Sequence, residues 1–184
     1  LSEVEWILSI GGIHIESGLS IPQDKSWADL QSEYDAIFVG FGLGPDSMMG
    51  LPGGNAQGIH GAVDYIARFK LCEEDLSKVK RAVVVGGGNT ALDAVRELKG
   101  LGIDSVTLAY RGDAEKMSGY QHEWSEAKKE GIIASWRSQP IGFTEDGVNV
   151  TGVLCQRMDE NKKPIDGDTF EIPADLVLLA IGQG

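Results

Sequence analysis

The sequence predicts an α/β fold with a parallel sheet and a small antiparallel β-meander, and three observations predict it. First, the apolar run Ala82-Val83-Val84-Val85 passes directly into Gly86-Gly87-Gly88, and these pass into the helix-forming Asn89-Thr90-Ala91-Leu92-Asp93-Ala94. Second, from residue 80 onward apolar runs alternate with amphipathic stretches in the order β-α-β-α-β, which a parallel sheet with helical crossovers requires. Third, residues 139–158 and 168–181 read as short strands around turns at Asp146-Gly147 and 161–163, the pattern of antiparallel hairpins.

Local signals place each element along the chain. Residues 2–10 form a short amphipathic helix with Val4, Ile7 and Leu8 on its apolar face, ended by Gly11-Gly12. Residues 13–15 are a strand candidate. Ser26 caps a helix through Glu33, with Trp27, Leu30 and Tyr34 facing inward. Residues 35–40 read as a buried strand. With Phe41-Gly42 they echo the run at 81–88, but Leu43-Gly44-Pro45-Asp46 do not start a clean helix, so a strand-end turn is the simpler reading. Residues 45–60 hold Pro45, Gly50, Pro52, Gly53, Gly54 and Gly58 and read as a crossing between domains. Helices are expected over 61–71, with Val63, Ile66, Ala67 and Phe69 apolar, and over 90–101. Strands are expected over 80–85, 105–110, 132–136 and 175–181. Ser118 and Gln121 resemble a capping box for a helix running to Glu130.

Composition bounds the function. The chain has 184 residues, is 42% hydrophobic and carries a formal charge of −12, so it supports a full core and disfavours nucleic acid or an anionic membrane as partner. No apolar run reaches membrane-spanning length, and Leu1-Ser2-Glu3-Val4-Glu5 does not read as a signal peptide. A reducing cytoplasm is the expected compartment, and an excised segment of a longer protein the expected origin. Cys72 and Cys155 have neither redox nor metal spacing and read as core filler. His14 and His60 read as turn or strand residues rather than metal ligands.

The glycine run carries the chemistry. Gly86, Gly88 and Ala91 form the G-x-G-x-x-A dinucleotide fingerprint, so the three-layer domain is Rossmann-like and NAD(P)-binding. Gly86 serves the tight turn, Gly88 lets backbone approach a pyrophosphate, and Ala91 lets helix and strand pack closely. Gly87 lies within the same loop. The helix N-terminus offers free N–H groups and the positive end of its dipole. Asn89 stands where an N-cap would, Thr90 offers an N–H and a hydroxyl, and Asp93 is equally well explained as a helix-start carboxylate. Tyr110 and Arg111 end the second strand, where an NAD site usually has an acidic residue for the ribose 2′-hydroxyl. A guanidinium suits a 2′-phosphate, so NADPH is expected, with NADH the alternative.

On Tyr34-Asp35-Ala36-Ile37-Phe38, Gly50-Leu51-Pro52-Gly53, Gly58-Ile59-His60-Gly61-Ala62, the fingerprint, Tyr110-Arg111, the stretch from Glu123 to Gly131 and the closing Ala174-Asp175-Leu176-Val177-Leu178-Leu179-Ala180-Ile181-Gly182-Gln183, nearly the whole chain resembles one family. This is the two-dinucleotide-domain flavoprotein family that includes the NADPH-dependent glutamate synthase small (beta) subunit and the reductase part of dihydropyrimidine dehydrogenase. It lies within the FAD/NAD(P)-binding pyridine nucleotide-disulphide oxidoreductases. The resemblance implies an FAD domain split in sequence by an inserted NADPH domain, with hydride passing from NADPH to FAD and electrons onward. Residues 1–58 then correspond to a partial FAD-domain segment and crossing, and residues 59–184 to the NAD(P)H-binding domain. FAD belongs to the full-length protein, whose first fingerprint and last segment are absent here. The implied partners are the FAD domain of the same polypeptide and an iron–sulfur or large-subunit acceptor. The resemblance also places Asn89 by the phosphates and Gly182 with Gln183 near the nicotinamide.

Two departures weaken the NADPH reading. Gly112 stands where the family commonly has a second Arg, and Tyr120-Gln121-His122 stands at a basic pair. His122 remains a candidate phosphate donor, with an exposed helix-start His the plain alternative. Two rivals stay open. A stand-alone dehydrogenase would need a proton-transfer pair such as Tyr-x-x-x-Lys, which no Tyr of this chain begins. A non-catalytic nucleotide sensor or interaction module would look the same in sequence.

Overall fold

The computed structural model describes residues 2–42, 44, 46–71 and 75–182; Pro45, Cys72 and Gln183, singled out above, lie outside them. The chain divides into two compact units, Leu1–Gly42 and Leu43–Gly184.

The first unit holds helices α1 (Ser2–Ser9) and α2 (Trp27–Glu33). The capping of α2 is as the sequence predicts. Ser26 Oγ accepts from the Asp29 N–H at 3.2 Å, and the Asp29 carboxylate accepts from the Ser26 N–H at 3.1 Å. The strands expected at 13–15 and 35–40 do not form. A strand exists only where a neighbour takes its N–H and C=O groups, and none of the described residues of this unit offers a ladder. The run at 35–40 is therefore extended and open, with Phe38 96% exposed. Trp27 and Tyr34 are likewise exposed rather than inward.

The second unit is the α/β domain, in three layers. Strands β1 (Ile59–Gly61), β2 (Arg81–Gly86), β3 (Ser105–Tyr110), β4 (Ile133–Trp136) and β8 (Leu176–Ala180) form a five-stranded sheet in the order β1-β8-β2-β3-β4, and every pair in it is parallel. Helices α3 (Ala62–Lys70), α4 (Asn89–Gly100) and α5 (Gln121–Lys129) supply the crossovers. Strands β5 (Ser138–Glu145), β6 (Val150–Met158) and β7 (Pro164–Pro173) form the antiparallel meander.

Period-two alternation puts each central strand into both cores. Ala82, Val84, Val106, Leu108, Leu176 and Leu178 face the helices. Val83, Val85, Ala109, Val177 and Leu179 face the meander, with Phe143, Val153 and Cys155. Cys155 is buried there, and burial pushes its thiol up to about 12, which keeps it protonated.

Four details differ from the sequence reading. The sequence does not separate the short β1 from the turn-rich crossing. The segment before β1 bonds into the second unit: the Phe143 N–H donates to Pro52 O, Val150 to Gln57 O and Val177 to Gly58 O. The compact units divide after residue 42, just before the crossing that the sequence reads over residues 45–60. In α3 the buried positions are Ala62 and Tyr65, while Val63 faces out. The box at Ser118 and Gln121 does not form, because Ser118 is drawn to the glycine loop and Gln121 Nε2 to Ala114 O.

Candidate functional site

The strand order reverses between β8 and β2. From β2 the crossovers run outward to β3 and β4, while β8 and β1 lie on the other side. At such a switch point the loops leaving the carboxyl ends diverge and leave a crevice. A cleft of about 580 Å³ opens there. Its walls are the ends of β2 (Val85, Gly86), β3 (Ala109, Tyr110, Arg111) and β8 (Ala180, Ile181, Gly182). Gly87, Gly88 and Thr90 line it from the start of α4, Ser118 from the loop before α5, Ser138, Gln139 and Pro140 from β5, and Met49 from the segment before β1.

Each glycine of the loop has its own reason. Gly86 has φ +149°, and a β-carbon on it would collide with the Ala180 carbonyl of β8. Gly87 carries the Tyr110 ring: a β-carbon there would stand 2.5 Å from Cδ2 and Cε2. The far edge of the same ring lies against Gly112, whose β-carbon would be 2.8 Å from Cε1. Tyr110 is thus clamped between two glycines, with its hydroxyl donating to Lys116 O at 2.9 Å and its ring edge-on to Trp136 at 6.3 Å. Gly88 is different, because a β-carbon on it would meet only Ser118 Oγ, at 3.7 Å, so its backbone stays open to the cleft.

The loop is latched from outside. Gly87 O accepts from the Gly119 N–H at 2.9 Å and from Ser118 Oγ at 3.2 Å. The N-cap of α4 is Gly88, not Asn89, and it makes no side-chain cap. Asn89 Oδ1 instead accepts from the Tyr120 N–H at 3.0 Å. The side chain expected to cap α4 therefore binds the neighbouring loop, while the first N–H groups of α4 have no acceptor four residues back within the helix. Ala91 is fully buried, which permits the close packing of α4 on the sheet.

Of the residues singled out in the sequence, Gly86, Gly87, Gly88, Thr90, Tyr110, Arg111 and Gly182 meet in this cleft. Arg111 is exposed and has no ion-pair partner among the described residues. Gly182, with φ +116°, accepts from the Ser47 N–H at 3.0 Å. Asp93 lies elsewhere, in a groove between α3 and α4. His122 is exposed on α5, stacked on Tyr120 at 5.6 Å, and is not part of the cleft wall. Met49, Ser118, Ser138, Gln139 and Pro140 join the cleft without any site signal in the sequence. Ser138 is fully buried, and its hydroxyl pairs with Ser135 Oγ at 2.8 Å and donates to Trp136 O at 3.0 Å. Ser118 stands in a capping pattern that signals a helix and not a site, and Ser138, Gln139 and Pro140 stand in no site pattern; only the folding back of the meander brings β5 to the fingerprint.

The fingerprint loop at a switch point is a family trait, and family comparison is decisive: residues 2–184 match the model of the pyridine nucleotide-disulphide oxidoreductases. The chain belongs to this family. It is 33% identical to a putative oxidoreductase, UacF, of Escherichia coli K12, over 99% of this chain and 32% of that protein. It is 35% identical to the NADPH glutamate synthase small chain of Halomonas elongata, over 93% of this chain and 40% of that one. The chain thus spans about a third to two-fifths of the curated relatives it matches. Two solved structures share the fold. An FAD-dependent pyridine nucleotide-disulphide oxidoreductase from Desulfovibrio vulgaris is similar with TM-score 0.59 at 21% identity, over 77% of this chain and 34% of that one. Lactococcus lactis thioredoxin reductase is similar with TM-score 0.57 at 23% identity, over 76% of this chain and 42% of that one. Among the described residues no helix is long and apolar enough to cross a membrane.

Proposed function

We propose that residues 43–184 are the NAD(P)H-binding domain of a flavin-dependent oxidoreductase, and that residues 1–42 are a segment of its FAD domain. One observation carries the reading: the Gly-rich loop and the start of α4 open together into the cleft at the switch point of the sheet. Gly88 fits a phosphate group there, since the space a side chain would fill is empty up to Ser118 Oγ. The N–H groups of Gly88, Asn89 and Thr90, with the helix dipole, hold the pyrophosphate. Asn89 acts through its backbone, because its side chain is engaged by Tyr120.

Arg111 takes the adenosine side, where its guanidinium matches a 2′-phosphate and favours NADPH over NADH. Gly182 closes the opposite wall, toward the nicotinamide. When bound, the dinucleotide supplies the hydride that a flavin accepts. The chain itself contributes binding and orientation, and no cleft side chain is needed as acid, base or nucleophile. Asp93 and His122 have no part in this reading. The names of several relatives, glutamate synthase small chains and a Moorella thermoacetica formate dehydrogenase subunit beta, are those of subunits and support a partner subunit for the full-length protein.

Calorimetric titration with NADPH and NADH on the wild type and on Arg111→Ala tests the reading. NADPH is expected to bind more tightly, and the substitution to weaken NADPH about tenfold while sparing NADH. Equal binding of both nucleotides by the wild type removes the NADPH preference. Binding of neither removes the function.

A further inference from the structure

The cations around the end of β3 divide into two sets. Arg137, the single residue between β4 and β5, has its guanidinium on Asp113 at 2.6 Å. The Asp113 carboxyl is held below the usual carboxylate range by that hydrogen bond, so the pair stays ionised and mutually engaged. Lys116 is committed as well, donating to Glu160 O at 2.6 Å. Arg111 and Lys162 form the second set, and neither has an ion-pair partner among the described residues.

Lys162 stands far from Arg111 in sequence, at the tip of the β6–β7 hairpin, yet it packs beside Gly112, the residue that follows Arg111, just outside the lining of the cleft. Its Cε lies 3.3 Å from the point a β-carbon on Gly112 would occupy, and Gly112 is buried although it adjoins the exposed Arg111. The ammonium is one bond beyond Cε. The hairpin tip is pinned in this position. Asp159 Oδ1 accepts from the N–H groups of Asn161 and Lys163, each at 2.8 Å. Asp159 O accepts from the Lys162 N–H at 3.0 Å, which holds Lys162 at φ 61°. The Lys116 bond to Glu160 ties the tip to the loop after β3. Any side chain larger than hydrogen at 112 would meet Tyr110 on one side and Lys162 on the other.

We propose that Lys162 is the second cation for the ribose 2′-phosphate, delivered from the meander to the site that Arg111 begins. This rests on the dinucleotide reading above and deepens it: a phosphomonoester dianion is recognised jointly by the strand end and the hairpin tip. Of the acidic neighbours, Asp159 turns Oδ1 into the backbone of its own tip, and neither Asp159 nor Glu160 forms an ion pair with Lys162 among the described residues, so the ammonium is left for a ligand. Selectivity for NADP over NAD is then a property of the three-layer packing, since the sheet supplies one charge and the meander the other.

The test titrates NADP⁺, NAD⁺ and adenosine 2′,5′-bisphosphate against the full chain and its Lys162→Asn and Lys162→Arg variants. Asn removes the charge and tolerates the left-handed backbone, so the tip remains folded. Lys162→Asn is expected to weaken NADP⁺ and the bisphosphate about fivefold, leave NAD⁺ unchanged and flatten the salt dependence of NADP⁺ binding, while Lys162→Arg keeps wild-type affinity. An unchanged NADP⁺ affinity in Lys162→Asn, or an equal loss for NADP⁺ and NAD⁺, overturns the assignment and leaves the dinucleotide reading standing. A wild type that binds neither nucleotide overturns both.

Discussion

Residues 35–40, Asp-Ala-Ile-Phe-Val-Gly, and residues 81–86, Arg-Ala-Val-Val-Val-Gly, share one pattern: a charge, an apolar run and a glycine. The second is the central strand β2, hydrogen-bonded to β3 and β8, with Val84 fully buried. The first has no ladder, and Phe38 within it is 96% exposed. The difference does not lie in propensity, since Ile, Phe and Val favour strands as Val does. It lies in neighbours. Residues 81–86 have a parallel strand on either side, helices on one face and the meander on the other. Among the described residues 3–42 none is buried, so nothing there rewards a strand.

The sharpest way to break this comparison is to place the same substitution at the two terminal glycines. Gly86→Val sets a branched side chain at φ +149° against the Ala180 carbonyl, where backbone must move. It is expected to destabilise residues 43–184 by about 3 kcal/mol or more and to abolish nucleotide binding. Gly40→Val meets only the exposed Phe38 ring, with its β-carbon 3.1 Å from Cε1, and is expected to change stability by less than about 0.5 kcal/mol. Urea unfolding followed by tryptophan fluorescence and calorimetric titration check both. Similar losses at the two sites would refute the contrast. Within the strand itself, Val84→Ala is expected to cost about 2 kcal/mol through a cavity on the helix side, read as a lower urea midpoint at unchanged slope.

A smaller effect tests the entry to β2. The Asp175 carboxylate accepts from the Lys80 and Arg81 N–H groups at 3.1 and 3.0 Å and from the Arg81 guanidinium at 2.6 Å. The guanidinium above all, then the two N–H groups, hold the carboxyl below its ordinary range against partial burial. A depressed folded-state value contributes stability above the unfolded value, and that contribution fades as pH falls below about 4. Asp175→Asn is therefore expected to lose about 1 kcal/mol at pH 7, with the gap to wild type narrowing on acidification below about pH 4. Thermal unfolding of both proteins from neutral pH down to about pH 3 measures it, and a gap independent of pH would remove the electrostatic account.

The two regions also separate what is legible in sequence from what is not. The strand–glycine–helix unit at 81–100 is legible nearly to the residue, because strand, turn chemistry and helix period agree locally. Tyr110 and Arg111 are legible too, placed by their position at the end of the next strand. The open run at 35–40 misleads because burial is not encoded in the run itself. The latch of Asn89 on Tyr120, the ring clamp that requires Gly87 and Gly112, and the arrival of Ser138 and Gln139 at the cleft are long-range contacts without local signature. Asn89 is instructive: an Asn before a helical run is a sound N-cap prediction, yet a loop N–H from 31 residues away competes for the same oxygen and takes it.

The smallest expected effect is the most discriminating for the first region. Phe38→Ser removes a large apolar side chain from a run that reads as core. In a buried strand such a change would cost roughly 3–5 kcal/mol. Here the ring is almost wholly in solvent, so the urea midpoint is expected to stay within about 0.5 kcal/mol of wild type. Removing exposed apolar surface should instead raise the concentration at which the chain stays monomeric, measurable by sedimentation velocity. A loss above about 1 kcal/mol would mean that Phe38 packs against something in solution and that 35–40 belongs to a core after all. An unchanged midpoint with reduced self-association would show that the run, although strand-like in sequence, contributes exposed apolar surface and no core.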